Sequence, residues 1–570
     1  MSESERLDCV VIGYNEMPFE EYERLLSQYG KDAEAYRDLQ FSFIDLDGKK
    51  LDYMGLLNHV FELAGGTAAN NQFKSCDIPN LAAIYLDHFL RKRGHQSVYI
   101  NLFQHEREDL LRYLARDPLC VAITTTFYVI NFPVTEMIRF IRKHNPRTKI
   151  IVGGPLVANH ARNYQGHDDD EPPLVSLRRP KSSAPALKHL HPEFAAALDD
   201  IGADIYVNES QGELTLARIV ECFKRGGNLA EVPNLIYAEG GGLRATARVP
   251  EANSLDECFI DWCIYSGRSL GPTLQTRTAR SCAFNCSFCN YPTRAGKLTL
   301  ASLDTLEKEL DSMHALGYVK NVVFIDDTFN VPLPRFKDIC RLLIQKQYGF
   351  NWFSYFRCSN SDEEAVELLA ESGCKGVFLG IESGSPTILQ NMNKAATVEK
   401  YVRGIEMLHR YGVVTFASLI FGFPGETDQT VTETVNFIRD TKPNFYRGQL
   451  WYCEAGTPIE RQREKYGISG EGFIWKHATM DSLEAMDHID RAFLTIKEST
   501  WLPQWSFDFW AIPYLLGLGI STTQLQTLMA EAQRLLTLEI AAVPATQKSV
   551  LGQAYLQNMV RAAANHSGTA

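Results

Sequence analysis

The chain has 570 residues, 45% hydrophobic and 22% charged, with a net charge of −12. That length exceeds a single hydrophobic core and asks for about three domains. The acidic balance speaks against a broad nucleic-acid surface, which needs clustered Lys and Arg, and no apolar run reaches the roughly 18–20 residues that span a bilayer.

From the N-terminus, residues 1–6 are polar and acidic rather than a secretory leader. Cys9–Ile12 is a short apolar run ending at Gly13, and Pro79–Arg93 has a helical period ending at Gly94. Val98–Leu102, Cys120–Thr124 and Lys149–Val152 read as successive strands, with a helix at Val134–His144 and a further strand at Ala203–Val207. The pattern predicts an open, doubly wound α/β sheet whose ligand sits off the carboxyl ends of its strands. Those ends carry Thr124, Thr125 and Thr126, then Gly153, Gly154 and Pro155, then Glu209 to Glu213 with Gly212. Small residues and hydroxyls there let a bulky ligand approach the backbone. A long insertion, Tyr14–Asp77, interrupts this half, with a helix-like Phe19–Tyr29 and an aromatic Phe41–Asp47. His167–Ser183, with its acids, prolines and serines, reads as a surface loop.

The tightest constraint is the stretch RSCAFNCSFCNYP, in which Cys282, Cys286 and Cys289 form C-x3-C-x2-C. Three thiolates this close suit a [4Fe–4S] cluster, whose fourth iron is then open to another ligand. A structural zinc site needs a fourth ligand; Cys263 and His314 are nearest, neither at zinc-finger spacing. Strand-like runs follow at Leu274–Thr278, Asn321–Ile325, Trp352–Phe356, Gly376–Ile381, Val413–Ile420 and Gly448–Cys453. Between them lie helical patterns at Ser302–Leu316, Leu333–Lys346, Asp362–Ser372, Val398–Tyr411 and Asp428–Asp440. Such alternation predicts parallel α/β architecture, with working residues at the carboxyl ends of strands. Those ends read Asp326-Asp327, Arg357-Cys358, Gly380 to Gly384 around Glu382, Ser418 to Gly422, and Tyr452 to Glu454.

The triplet resembles that of the radical S-adenosylmethionine (SAM) superfamily, where Phe288 falls on the family's aromatic position. The resemblance implies a partial (β/α)6 barrel and SAM chelating the open iron. It further implies an acid at Asp326 or Asp327 for the SAM ammonium, Arg357 for its carboxylate, Glu382 for the ribose, and Ser418, Ile420 and Gly422 beside the adenine. The N-terminal half, from Ile78-Pro-Asn-Leu through Gly153-Gly154-Pro155, looks like the cobalamin-binding domain fused ahead of many such barrels. Thr124 to Thr126, Gly153 to Pro155, Glu209 and Gly212 would then face the cofactor. No D-x-H-x-x-G motif is present, so no histidine ligand to cobalt is expected; a G-x-G-x-x-G loop is also lacking, which counts against a dinucleotide. The opening DCVVIGYNEMPFEEY (Asp8–Tyr22) resembles the phosphinothricin-pathway P-methylase subgroup.

The expected layout is therefore a Rossmann-like cobalamin-binding domain over 1–255 with an insertion at 14–77, a radical SAM barrel over 256–456, and a helical, aromatic-rich C-terminal domain over 457–570. That last region holds Trp475, Trp501, Trp505, Phe507, Phe509, Trp510 and Tyr514, expected as core, and the stretch Ala541–Ala570 is small and polar, so its end is expected to fray. The resemblance implies a cytoplasmic methyltransferase, using SAM as radical and methyl source, on an unactivated carbon or a phosphinate phosphorus of a secondary metabolite. Its partners would be a small molecule or peptide, free or tethered to a carrier protein, and an electron donor such as flavodoxin or ferredoxin. Thirteen cysteines agree with a reducing compartment. Tyr452, Cys453 and Glu454 stand where substrate could be reached. Rivals are a cobalamin radical SAM cyclase or rearrangement enzyme, a methylthiotransferase with a second cluster from Cys9, Cys76 and Cys120, and a cobalamin sensor.

Overall fold

The computed structural model describes residues 6–46, 48–65, 73–74, 78–126, 128, 130–164, 190, 192–268, 270–505 and 510–564. They form two compact units, one of residues 1–17, 79–264 and 293–312, the other of 18–78, 265–292 and 313–570.

The first unit is built on a seven-stranded sheet. Strands β1 (Cys9–Tyr14), β2 (Ser97–Leu102), β3 (Cys120–Thr124), β4 (Lys149–Gly153) and β5 (Ile205–Val207) run parallel in the order β2-β1-β3-β4-β5. The hairpin of β6 (Leu235–Glu239) and β7 (Gly242–Ala245) adds two antiparallel strands at the β5 edge. β1, β3 and β4 are continuous apolar runs because helices cover both faces of a doubly wound sheet; Val10, Ile12, Val121, Ile123, Ile150 and Val152 share one core with Met137, Ile141 and Leu198 from its helices. The chain winds left from β1 to β2 and right from β3 onward, so the topological switch point lies at the ends of β1 and β3. The helices over Arg107–Ala115 and Glu213–Arg225 were not legible in the sequence, nor was the β6–β7 hairpin.

The second unit carries an all-parallel sheet in strict chain order: β8 (Thr273–Thr276), β9 (Asn321–Phe324), β10 (Asn351–Phe356), β11 (Cys374–Glu382), β12 (Val414–Phe421), β13 (Phe445–Leu450) and the two-residue β14 (Thr500–Trp501). Helices over Leu333–Lys346, Glu363–Glu371, Val398–Arg410, Asp428–Thr441 and Ser482–Thr495 separate the strands from β9 onward. β8 does not pair with β13 or β14, so the barrel is open. Along β12, Thr415, Ala417, Leu419 and Phe421 are buried while Val414, Phe416, Ser418 and Ile420 are half-buried. Thr415 meets His409 of a covering helix, so Ser418 and Ile420 lie on the opposite, inner face. A helix at Ala511–Gly517 plugs the amino end of the barrel: the Pro513 carbonyl accepts from Thr273 Oγ1 and Asn321 Nδ2 at 3.2 and 2.6 Å.

The structure differs from the expected bounds in several places. Residues 18–78 join the second unit rather than the first domain, because Tyr22 stacks on Trp505 and Phe41 packs against Trp501 there. The C-terminal region is not separate: β14 extends the barrel sheet. Residues 545–564 form a 20-residue helix, since alanine-rich sequence is a strong helix former and Met559 and Ala563 are buried; the end expected to fray, 565–570, lies outside the described residues. The strand expected at Gly448–Cys453 starts three residues earlier, at Phe445. His167–Ser183, Cys76, Phe507 and Phe509 lie outside the described residues.

Candidate active site

The cysteine loop follows β8. Cys286 is buried, while Cys282 and Cys289 are half-buried. Burial pushes the Cys289 thiol up, the Tyr291 N–H at 3.4 Å counters it, and the nearby Cys286 and Cys282 raise it further. Cys282 and Cys286 thus lie within electrostatic reach of Cys289. Yet among the described residues no three His, Cys, Asp or Glu side chains converge on a point that could hold one metal ion. A zinc site needs such convergence, whereas thiolates that each take a different iron of a cube do not. Cys282 Sγ lies 3.2 Å from Thr328 Oγ1. The back of the loop is pinned by Ser287, whose N–H and Oγ each donate at 2.8 Å to Met392 and Asn391 carbonyls. His314 packs against the rings of Tyr348 and Phe350, and Cys263 is in the other unit.

The two aspartates after β9 part company. Asp326 is buried and accepts from Thr278 N, Thr278 Oγ1 and Ala279 N at 2.6, 2.6 and 2.9 Å. Burial pushes its carboxyl up, and those donors oppose the shift. Arg335 reinforces the knot by donating to Thr278 Oγ1 at 2.9 Å. Asp326 is consumed in holding the chain just before Cys282. Asp327 is exposed, and its charge is felt at Cys289. Arg357, at the end of β10, is buried with its guanidinium 3.7 Å above the Phe284 ring, and among the described residues its Nη2 has no hydrogen-bond partner.

Glu382 sits at a register shift between β11 and β12 with φ of 64°, a strained conformation for a non-glycine residue. Its Oε1 is 2.9 Å from Lys394 Nζ, and both side chains are nearly buried. Lys394 also lies 5.4 Å from the Phe288 ring centroid. Gly422, at φ of 81°, leaves no room for a side chain: a Cβ would meet Trp475 at 2.3 Å. Its N–H donates to buried Glu426, whose carboxyl burial pushes up to about 8. Beyond β13, Tyr452 is 53% exposed, Glu454 accepts from Asn290 Nδ2 at 2.7 Å, and Cys453 is buried against Arg463.

At the switch point of the first unit the polar groups are mostly satisfied internally. Thr124 Oγ1 donates to Gly13 O at 2.8 Å and Thr125 Oγ1 to Gly153 O at 3.0 Å. Thr126 is exposed. Gly153 and Gly154 are required by protein packing, since a Cβ would lie 3.2 Å from Val207 and 2.8 Å from Thr125 Oγ1. Glu209 is buried, which pushes its carboxyl up, and Gly212 starts the helix Glu213–Arg225 at φ of 78°. Tyr14 and Tyr128 stack at 5.8 Å, and the Tyr128 hydroxyl accepts from Asn15 N at 2.5 Å.

Two family models match: the Radical SAM superfamily over residues 276–438 and the B12 binding domain over residues 75–172. The chain thus carries a B12-binding domain followed by a radical SAM domain. The radical SAM domain begins at the last residue of β8 and contains the cysteine loop and β9 to β12, and the B12-binding domain contains β2 to β4. Among curated proteins, an uncharacterized methyltransferase of Pyrococcus horikoshii is 30% identical over 50% of this chain and 63% of its own length. The anaerobic magnesium-protoporphyrin IX monomethyl ester cyclase of Rubrivivax gelatinosus is 27% identical over 49% and 54%. The chain therefore spans little more than half the length of these relatives. Among solved structures, the radical SAM enzyme OxsB with aqua-cobalamin and SAM bound covers 86% of this chain and 82% of its own at 14% identity, with a TM-score of 0.55. The methyltransferase TsrM of Kitasatospora setae, with tryptophan and a SAM analogue, covers 68% and 73% at 20% identity and a TM-score of 0.52. These likenesses concern the fold.

The donors of the radical SAM domain fit a cluster and a zwitterionic ligand: three thiols on one loop, an exposed acid beside them, and a buried guanidinium nitrogen without a partner. At its strand ends the B12-binding domain offers glycines and one exposed threonine, Thr126, which fits a large group held by shape. Sequence reasoning missed Thr278, Phe284, Thr328 and Lys394, whose roles depend on which strand ends meet; Asn15 and Tyr128 emerge only once the strand order is known.

Proposed function

We propose that the chain is a cobalamin-dependent radical SAM methyltransferase acting on an unactivated carbon, or a phosphinate phosphorus, of a small molecule or peptide. The observation that carries this reading is the union, in one chain, of a B12-binding domain with a radical SAM domain whose cysteine loop is flanked by Asp327 and the unsatisfied Arg357. When bound, the [4Fe–4S] cluster, SAM and cobalamin supply a carbon-centred radical and a transferable methyl group. Cys282, Cys286 and Cys289 hold the cluster. Asp327 takes the SAM ammonium and Arg357 its carboxylate, charge-assisted bonds that fix the sulfonium in place. Glu382 takes the ribose hydroxyls, and Phe288, Ser418, Ile420 and Gly422 shape the adenine side. Thr126, Glu209, Gly212 and the Gly153–Pro155 turn face the cobalamin, with no histidine on cobalt. Reduced flavodoxin or ferredoxin serves as electron donor.

A second reading, cyclisation or rearrangement without net methyl transfer, is favoured by the cyclase among the relatives. Products separate the two. Anaerobic protein with cobalamin, SAM, reductant and substrate is expected to release 5′-deoxyadenosine and S-adenosylhomocysteine in matching amounts. Deoxyadenosine alone selects the second reading. Single Cys→Ser changes at 282, 286 and 289 are expected to abolish cluster absorption and reduce deoxyadenosine to background; an unaltered spectrum sinks both readings.

A further inference from the structure

We propose that Asp38, from the segment inserted after β1, is a substrate-binding residue that takes a protonated amine of the substrate beside the aromatic wall of Tyr22 and Trp505. This deepens the proposed function, since it rests on the second unit being the substrate chamber of a radical SAM enzyme.

Asp38 belongs to the helix Glu34–Gln40, which is fastened firmly within that unit. Arg37 pairs with Asp487 and Asp490 at 2.8 and 2.6 Å, and Glu34 accepts from Ser482 Oγ at 2.6 Å. Among the described residues, Asp38 is the one charged side chain of this helix with no hydrogen bond or ion pair. It lies deep yet keeps partial contact with solvent. Tyr22 is within its electrostatic reach and stacks on Trp505 at 4.2 Å and 14°. The backbone N–H of Trp505 is tied to Ser42 Oγ at 3.3 Å, so the aromatic wall is held by the inserted segment itself.

Arg447 is the barrel residue whose charge reaches Asp38. It stands on β13 in register with Ser418 of β12, hence on the inner face shared with Ile420. Its guanidinium is hydrogen-bonded to Gln504, not to Asp38, yet its charge favours the ionised form of Asp38 against the burial that disfavours it. Asp326 shows the contrast: a buried carboxylate with its oxygens filled by three protein donors. A carboxylate left with open lone pairs beside aromatic faces is suited to an alkylammonium, by charge-assisted hydrogen bonds and cation–π attraction.

The test uses the full chain, reconstituted anaerobically with cluster and SAM, titrated with benzylamine and its neutral isostere benzyl alcohol. The amine is expected to bind about tenfold tighter or more. Asp38→Asn is expected to erase that preference with an unchanged melting temperature, and Tyr22→Leu to weaken both probes together. If Asp38→Asn unfolds, Asp38→Glu substitutes for it and is expected to retain the preference. Equal binding of both probes to the unaltered protein overturns the proposal, as does a preference that survives Asp38→Asn or is lost in a folded Asp38→Glu. These titrations need no turnover, so their failure leaves deoxyadenosine formation, and with it the radical SAM reading, intact.

Discussion

The cysteine loop of the radical SAM domain and the switch point of the B12-binding domain use polar groups in opposite ways. At the first, Arg357 is buried with Nη2 unsatisfied, and Asp327 stands exposed beside the thiols. At the second, Thr124 and Thr125 already donate to Gly13 and Gly153, and Asn15 to Tyr128. A buried donor without a partner costs about 1–3 kcal/mol, more if charged, so it marks a place where a ligand's charge completes the structure. A surface whose donors are spent recognises its ligand by shape.

That contrast breaks most visibly at Arg357. Its replacement by Ala is expected to raise the SAM dissociation constant by roughly tenfold to a hundredfold, corresponding to about 1.5–3 kcal/mol for a hydrogen bond to a charged group, as measured by equilibrium dialysis. An unchanged constant would remove Arg357 from the site.

The neighbouring aspartates sharpen it within two residues. Asp326→Ala is expected to lower stability by about 1–3 kcal/mol for each buried donor it strands, read by chemical denaturation. Asp327→Ala is expected to leave stability unchanged and weaken SAM binding several-fold. The reverse pattern would reassign the ammonium to Asp326.

Glu426 offers a pH test, since its folded carboxyl is pushed up to about 8 from an ordinary 4.5. Between those values the folded state keeps a proton that the unfolded chain has lost. Stability contributed by this group is therefore full below pH 4.5 and falls as pH rises toward 8, by a few kcal/mol at most. Glu426→Gln, which keeps the acceptor for the Gly422 N–H, is expected to flatten the denaturation midpoint between pH 6 and 8. A wild-type slope that persists in the variant would place the titration elsewhere.

The smallest effect is expected at the switch point. Thr125→Val removes one internal hydrogen bond, costing about 1 kcal/mol of stability, while cobalamin affinity by absorbance titration stays within twofold. A large loss of affinity would show that the hydroxyl is shared with the cofactor.

Both sheets were legible along the chain, because period and punctuation report local geometry: β3 was read to its true ends, and the helix at Leu333–Lys346 to the residue. The cysteine triplet was legible for the same reason, as its spacing lies within one loop. Sequence left open which of Asp326 and Asp327 faces a ligand, because adjacent residues share composition but not direction.

What the sequence alone determined, then, is local: the α/β order of both units, the triplet, and the acids and arginine at strand ends. Only the tertiary structure decided that the segment after β1 joins the barrel, that Asp326 is spent on Thr278 and Ala279 while Asp327 is exposed, and that Asp38 lies within reach of Arg447, some four hundred residues downstream. Those outcomes depend on contacts between distant strands and helices, and hydrophobic burial, which sets them, depends on area rather than on sequence spacing.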